Sequence, residues 1–292
     1  MRVVDRSFVL PLAGHEAVLL LVEKKRQLYE LAVDDVPQSI VSAIDPTFLD
    51  WPYVQQIGRL LDAAAPAGAP LRCLHLGAGA LTLPRYVQHT RPGSPQVVVE
   101  FERELAEAVL DALPLPERHG VRMLYGDARQ VTESASPAEL GAPVDFAVID
   151  LWEASTVRAR VASREFYALV ARLLAPGAVV AVNLLDGGRY EYARRQVATL
   201  GAVFEQVAVV LPERPTAAGN DPLGNVLVVA SDAPLAALEP PEFFAGAGES
   251  PGHPPFVLSG PELAAWVADA PPMTDTTATD SPSLGDPRFG DA

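Results

Sequence analysis

Residues 71–79 read Leu71-Arg72-Cys73-Leu74-His75-Leu76-Gly77-Ala78-Gly79, and residues 96–100 read Gln96-Val97-Val98-Val99-Glu100. Both are short, nearly continuous apolar runs, the pattern of a strand buried on two faces rather than one. The first ends in glycines just before a helical pattern, Leu81–His89. Gly77 and Gly79 there let a ligand approach the backbone beside a helix N-terminus. A strict dinucleotide fingerprint wants a third glycine, and Thr82 stands in its place. Glu100 closes the second run 23 positions after Gly77. An acid at that point can accept hydrogen bonds from both hydroxyls of a ribose. The competing reading is a first-turn or capping acid of the next helix, since Glu102 and Glu104 follow.

Working outward, further strand-like runs are Val121–Tyr125, Val144–Ile149 and Ala178–Asn183, with helical patterns at Glu102–Leu113, Ser163–Leu174 and Arg189–Leu200. Strands alternating with helices specify a parallel sheet covered on both faces. Ala175-Pro176-Gly177 is the kind of segment that ends a helix. Val203–Val210 and Asn225–Ala230 read as a hairpin closing one edge of the sheet. The expected architecture is α/β: a doubly wound, seven-stranded, mostly parallel sheet with its last strand antiparallel, over residues 51–232. Residues 1–50 form a small β-rich unit, with strands at Phe8–Leu12, Ala17–Val22 and Gln27–Val33 and turns at Ala13-Gly14 and Asp34-Asp35. Tyr53–Ala64 is a helix with Tyr53, Ile57, Leu60 and Leu61 on one side. Residues 233–292 form an extension rich in Pro, Ala, Asp, Ser and Thr, with a helix at Gly260–Ala268 and a disordered or loosely docked tail from Met273.

Composition narrows the function. With 22 basic against 37 acidic residues the formal charge is −15, which argues against nucleic acid as a partner, because phosphate binding needs clustered Lys and Arg. The apolar stretches near the N-terminus are broken by Asp5, Arg6, His15 and Glu16, well short of the ~20 residues a membrane span needs. The single Cys73 cannot form an internal disulfide and reads as a buried structural thiol. The chain therefore reads as soluble and cytoplasmic, with no membrane association. No His/Cys/Asp cluster marks a metal site.

Two more acids follow strands. Tyr125-Gly126-Asp127-Ala128 places a carboxylate next to a backbone N–H, able to read an adenine edge, although a surface turn also uses Gly-Asp. Val148-Ile149-Asp150 is followed by Leu151-Trp152-Glu153. Asp150 is a candidate general base or amine ligand, its alternative being a loop cap. All four signals fall at strand carboxyl ends, where open α/β sheets bind ligands.

Together these pieces resemble the spermidine/spermine synthase (polyamine aminopropyltransferase) family over roughly residues 35–232. The matching stretches are Gln38-Ser39, Tyr53, LHLGAGALTLPRYV (74–87) with Arg85, VVVEFERE (97–104), YGDA (125–128), VDFAVID (144–150), SREFY (163–167) and GNVLVVAS (224–231). The resemblance implies a methyltransferase-like Rossmann domain, a homodimer, and transfer of an aminopropyl group from decarboxylated S-adenosylmethionine to a small-molecule amine. It also implies that Glu100 holds the ribose, Asp127 and Ala128 the adenine, that Asp150 accepts the amine proton, and that Tyr53 lines the substrate site.

The chain departs from the family in the amine site. Ala80 stands where the family's glycine loop has an acid for the aminopropyl arm, and Val54 where it has a glutamine. Leu151 and Trp152 replace two small polar residues, with Glu153 at the place of a second acid, and the later substrate tyrosine has no counterpart. Trp152 and Glu153 are thus expected to flank Asp150 in an altered acceptor pocket. Two alternatives stand beside this: a methyltransferase using intact S-adenosylmethionine, which an uncharged Ala80 favours, and a non-catalytic nucleoside-binding protein.

Overall fold

The computed structural model describes residues 2–4, 7–11, 16–116, 120–153, 155–216, 218–235, 238, 243–247, 255–284 and 286. The turn expected at Ala13-Gly14 lies outside them. Among the described residues the chain begins with a five-stranded antiparallel sheet in sequential order: β1 (Arg2–Val4), β2 (Ser7–Pro11), β3 (Glu16–Glu23), β4 (Leu28–Val33) and β5 (Val36–Ser42). The sequence pattern does not predict the fifth strand, because Pro37 and the polar Gln38-Ser39 interrupt its apolar run. Pro37 is tolerated because β5 is an edge strand and the register shifts there.

The main domain follows as α1 (Pro52–Ala63), β6 (Cys73–Leu76), α2 (Thr82–Thr90), β7 (Gln96–Glu100), α3 (Arg103–Ala112), β8 (Val121–Tyr125), α4 (Ala128–Ser134), β9 (Val144–Ile149), α5 (Arg164–Ala171), β10 (Leu174–Gly188), α6 (Glu191–Gly201), β11 (Gln206–Leu211), β12 (Asp221–Ser231), β13 (Phe256–Ser259) and α7 (Gly260–Val267). Its sheet has the order β13-β11-β12-β10-β9-β6-β7-β8. Strands β10, β9, β6, β7 and β8 are mutually parallel, and β12 runs antiparallel to both β10 and β11. The doubly wound, mostly parallel sheet is as the sequence predicts, except that it has eight strands among the described residues rather than seven. The β11–β12 hairpin does not close the edge: β13, a four-residue strand in a Pro-rich stretch, pairs antiparallel with β11 outside it.

Two apolar layers sandwich the sheet. Leu74, Leu76, Val97, Ile149, Val180 and Val182 face a layer with Phe166, Val170, Val197 and Leu200 of α5 and α6. Cys73, Phe146, Val148 and Ala181 face Ile57, Leu60 and Leu61 of α1 and Leu83 and Val87 of α2. Burying a side chain of this kind is worth about 1.5–3 kcal/mol. A third cluster joins Ala17, Leu19, Leu31 and Val41 of the small sheet to Ala80, Leu81, Val98 and Val109. The small sheet is therefore packed onto the glycine loop that follows β6.

Composition suggests a loosely docked tail from Met273, but residues 273–281 are seated on the main domain. Met273 is fully buried, its N–H donates to Thr199 and its carbonyl accepts from the Arg164 N–H. Asp275 bonds Arg129 through both oxygens, and Asp280 accepts from the Ala159 N–H and pairs with Arg158. Composition misleads here because one buried side chain, Met273, and a set of polar pairs seat a segment that has no repeating apolar face.

Candidate active site

The carboxyl ends of β6, β7, β8, β9 and β10 converge on one edge of the domain. Gly77 follows directly on β6, with φ +98°. A Cβ there would lie 2.1 Å from the Asp150 carbonyl oxygen, so only glycine lets the loop after β6 pass this close to the end of β9. Gly79 also has positive φ and lies against Ser39 and Gln38 of β5. Ser39 and Thr82 share a hydroxyl hydrogen bond of 3.0 Å, and Thr82 also donates to the Ile40 carbonyl. Leu81, fully buried, caps α2 in the left-handed region at φ 56°, a conformation that costs an L-residue roughly 1–2 kcal/mol. Arg85 fixes the loop from behind, donating to the carbonyls of Ala80, Leu113 and Pro114.

Glu100 sits at the end of β7 across from this loop. Its Oε2 accepts from the Ala78 N–H at 2.9 Å and its Oε1 from the Glu102 N–H at 2.8 Å. Burial raises its pKa, and the backbone donors oppose that shift. A carboxylate can accept more bonds than these, so the side chain ties the glycine loop to β7 with acceptor capacity to spare. Asp127 follows β8 and caps α4, its Oδ1 accepting from the Gln130 N–H at 3.0 Å. Its Oδ2 is 2.8 Å from the Arg160 guanidinium. The capping role and the ion pair therefore both act on this acid. Ala128 is the first residue of α4, where a helix leaves its N–H groups without internal partners.

Asp150 is the hub of the other half. Tyr53 Oη, from the first turn of α1, donates to Oδ2 at 3.1 Å. Trp152 Nε1 donates to Oδ1 at 2.7 Å, and Asn183 Nδ2 of β10 donates to the same oxygen at 2.8 Å. Asn183 is adjacent because Val182 pairs with Ile149 in the parallel β9–β10 register. Burial pushes the Asp150 carboxyl above its ordinary value while these three donors pull it back. Burial, then the neighbouring Asp150, raises the Tyr53 phenol well above 10.

Tyr53, Asp150 and Trp152 are thus together, as the sequence suggests, and Gly77, Gly79, Glu100, Asp127 and Ala128 border the same edge. Glu153 does not join Asp150. Its carboxylate turns to Arg158 at 3.5 Å and Arg160 at 3.7 Å, and its backbone bridges Thr156. Arg160 therefore lies between Asp127 and Glu153. Sequence reasoning missed Asn183, which reads as the polar end of an apolar strand, and the arginines of the loop after β9, which carry no spacing signal.

This arrangement, a mostly parallel sheet with a glycine loop and acids at successive strand ends, defines a Rossmann-like domain of the methyltransferase type. No protein-family model matches the chain, nor does any curated protein. Among solved structures it is similar to a probable spermidine synthase from Corynebacterium glutamicum, at 26% identity and TM-score 0.75 over 90% of this chain and 96% of that one. A spermidine synthase in complex with the transition-state analogue AdoDATO superposes with TM-score 0.55 at 14% identity, over 87% of this chain and 81% of that one. Human methyltransferase-like protein 13, in complex with SAH, superposes with TM-score 0.51 at 20% identity, over 67% and 88%. The last two speak for the fold alone. The chain is thus similar to a spermidine synthase over nearly its whole length and has a methyltransferase-like fold. Among the described residues no helix is long and apolar enough to cross a membrane.

Proposed function

We propose that this protein transfers an aminopropyl group from decarboxylated S-adenosylmethionine to an amine. The observation that carries this reading is Asp150, held by Tyr53, Trp152 and Asn183 directly beside the loop at Gly77. Glu100 and the backbone around Ala78 and Ala128 fit a nucleoside: one carboxylate with acceptor capacity, one close-approach loop, one helix N-terminus. When bound, that nucleoside supplies an electrophilic carbon next to a sulfonium.

The residues of this chain would act on the acceptor. An alkylammonium has no lone pair until it loses a proton, and a carboxylate within hydrogen-bond reach can both orient it and take that proton. Asp150 Oδ1 already accepts two bonds and Oδ2 one, so roughly one acceptor position of about four remains. That position lies on Oδ2, next to the Tyr53 hydroxyl. The nitrogen–carbon bond forms as the carbon–sulfur bond breaks, a neutral thioether leaves, and the proton stays on Asp150.

The acceptor is expected to differ from a simple diamine. Trp152 and Leu151 make the surroundings of Asp150 apolar, and Glu153, the second acid, is paired with two arginines instead. One nitrogen can reach Asp150, while a distal ammonium finds no carboxylate in Glu153. An amine with an apolar body therefore fits better than putrescine.

A second reading, methyl transfer from intact S-adenosylmethionine, is favoured by one observation: Ala80 is fully buried and puts no acid on the loop to repel a methionine carboxylate. Calorimetric titration with S-adenosylmethionine, its decarboxylated form and methylthioadenosine separates the two. Tighter binding of the decarboxylated form supports aminopropyl transfer, and tighter binding of the intact form overturns it.

A further inference from the structure

Asp150 is not the end of its hydrogen-bond chain. Asn183, which donates to Asp150 Oδ1, is itself held by a second amide from the next strand: Asn225 Nδ2 donates to Asn183 Oδ1 at 3.1 Å. The antiparallel register explains the meeting. Asn183 pairs with Leu227 and Leu185 with Asn225, so Asn225 lies diagonally across from Asn183 on the same face of the sheet. The two amides sit where the sheet is otherwise apolar: Ala181, two residues before Asn183, and Leu227, two after Asn225, both belong to the buried layer against α1. Asn183 itself is 2% exposed.

A primary amide is a donor at one end and an acceptor at the other, so its orientation decides what it offers a neighbour. With Asn225 donating to its oxygen, Asn183 is locked with its N–H groups toward Asp150. Flipped, it would turn its oxygen onto a carboxylate oxygen, an arrangement that disfavours the ionised acid. Among the described residues the other side chains bonded to Asp150 are donors too. Tyr53 comes from α1 and is the titratable group against it; Trp152 follows β9 and is neutral; Asn183 and Asn225, from β10 and β12, are neutral.

We propose that Asn225 is a positioning residue of the acceptor site: through the Asn183 amide it occupies Asp150 Oδ1 and leaves Oδ2, beside Tyr53, as the face that meets the acceptor nitrogen. This rests on the reading of Asp150 as the acceptor acid, but the orientation of the amide pair is a property of the chain alone and can be measured without turnover.

The indole of Trp152 provides the reporter. The chain has three tryptophans, Trp51, Trp152 and Trp266, so the ¹⁵N–¹H spectrum of the labelled full chain holds three indole signals, and Trp152→Phe assigns the one bonded to Asp150. Its shift followed against pH gives the midpoint at which Asp150 takes a proton. In Asn225→Leu, which keeps the volume and removes the donor, the midpoint rises by on the order of 0.5–1 pH unit. In Asn225→Gln, which keeps an amide donor, it stays at the wild-type value. If leucine is not accommodated, Asn225→Ser, too short to reach Asn183, gives the same rise. An unmoved midpoint in a folded Leu or Ser variant overturns the relay. If the midpoint moves as expected but Asp150→Asn transfers its group as fast as wild type, the relay stands and the acceptor reading of Asp150 falls.

Discussion

Trp152 donates its indole N–H to Asp150 Oδ1 at 2.7 Å, so the aromatic ring two positions beyond the acid closes over one of the acid's own oxygens. The sequence places a bulky residue where a small polar one is expected; the structure shows that this residue also consumes a hydrogen-bond site.

Two substitutions separate the acid's role from the indole's. Asp150→Asn should leave methylthioadenosine binding near wild type while lowering turnover with the best acceptor by ~10²–10⁴-fold, the range for losing a general base. Trp152→Ser should reopen Oδ1 and raise turnover of putrescine relative to the wild type, measured by methylthioadenosine release. Efficient use of putrescine by the wild type would sink the altered-acceptor idea.

Glu100→Ala should weaken methylthioadenosine by ~1.5–3 kcal/mol, the scale of hydrogen bonds to a charged group, or roughly 10- to 150-fold in Kd. Part of this loss comes from the Ala78 N–H, which Glu100 also holds. Calorimetry on the folded variant decides; an unchanged Kd removes Glu100 from the nucleoside site.

How much of the fold and site is legible in the sequence depends on how each piece is held. The parallel strands are legible because burial on both faces leaves continuous apolar runs, such as Val97-Val98-Val99. The seven-residue α4 is not, since only Ala128 and Thr132 are buried and no stripe repeats. Candidate acids at strand ends can be found one by one, because the fold class says where to look. The direction each side chain takes cannot. Glu153 and Asp150 are three residues apart, yet Arg158 and Arg160 draw one away while α1 and β10 hold the other. Asn225 reaches Asn183 through a register between positions 42 residues apart, which no local pattern encodes.

Buried His75 gives the fold a pH dependence. It is 1% exposed, its Nε2 lies 2.9 Å from Gln96 Oε1, and burial pulls its pKa down to about 4. The unfolded chain, with an ordinary value near 6.5, binds a proton that the folded chain refuses. Stability from this residue is therefore complete above about pH 6.5 and lost progressively toward pH 4, by roughly 3 kcal/mol in all. Urea denaturation of wild type and His75→Gln at pH 7 and 5 should show a smaller acid-side loss in the variant. Equal losses would mean that His75 protonates freely in the folded chain.

The seating of the C-terminal segment is tested most sharply at Met273. The side chain is fully buried within the layer beside α5 and α6, where its sulfur meets Gln196 Nε2. Truncating a buried methionine to alanine removes its transfer free energy and leaves a cavity, together costing about 2–5 kcal/mol. A loosely docked tail would lose nearly nothing on the same change. Asp275→Ala is the companion variant: Asp275 is 41% exposed, so losing its pair with Arg129 should cost no more than about 1 kcal/mol. The expected order in urea denaturation is therefore Met273→Ala well below Asp275→Ala, with Asp275→Ala slightly below wild type. The Asp275 pKa is lowered, chiefly by Arg129, so its small contribution is present above the ordinary carboxylate value and fades as pH falls below it. Met273→Ala carries no titrating group and should keep its deficit at every pH. A Met273→Ala protein as stable as wild type would show that the segment contributes nothing to the folded domain.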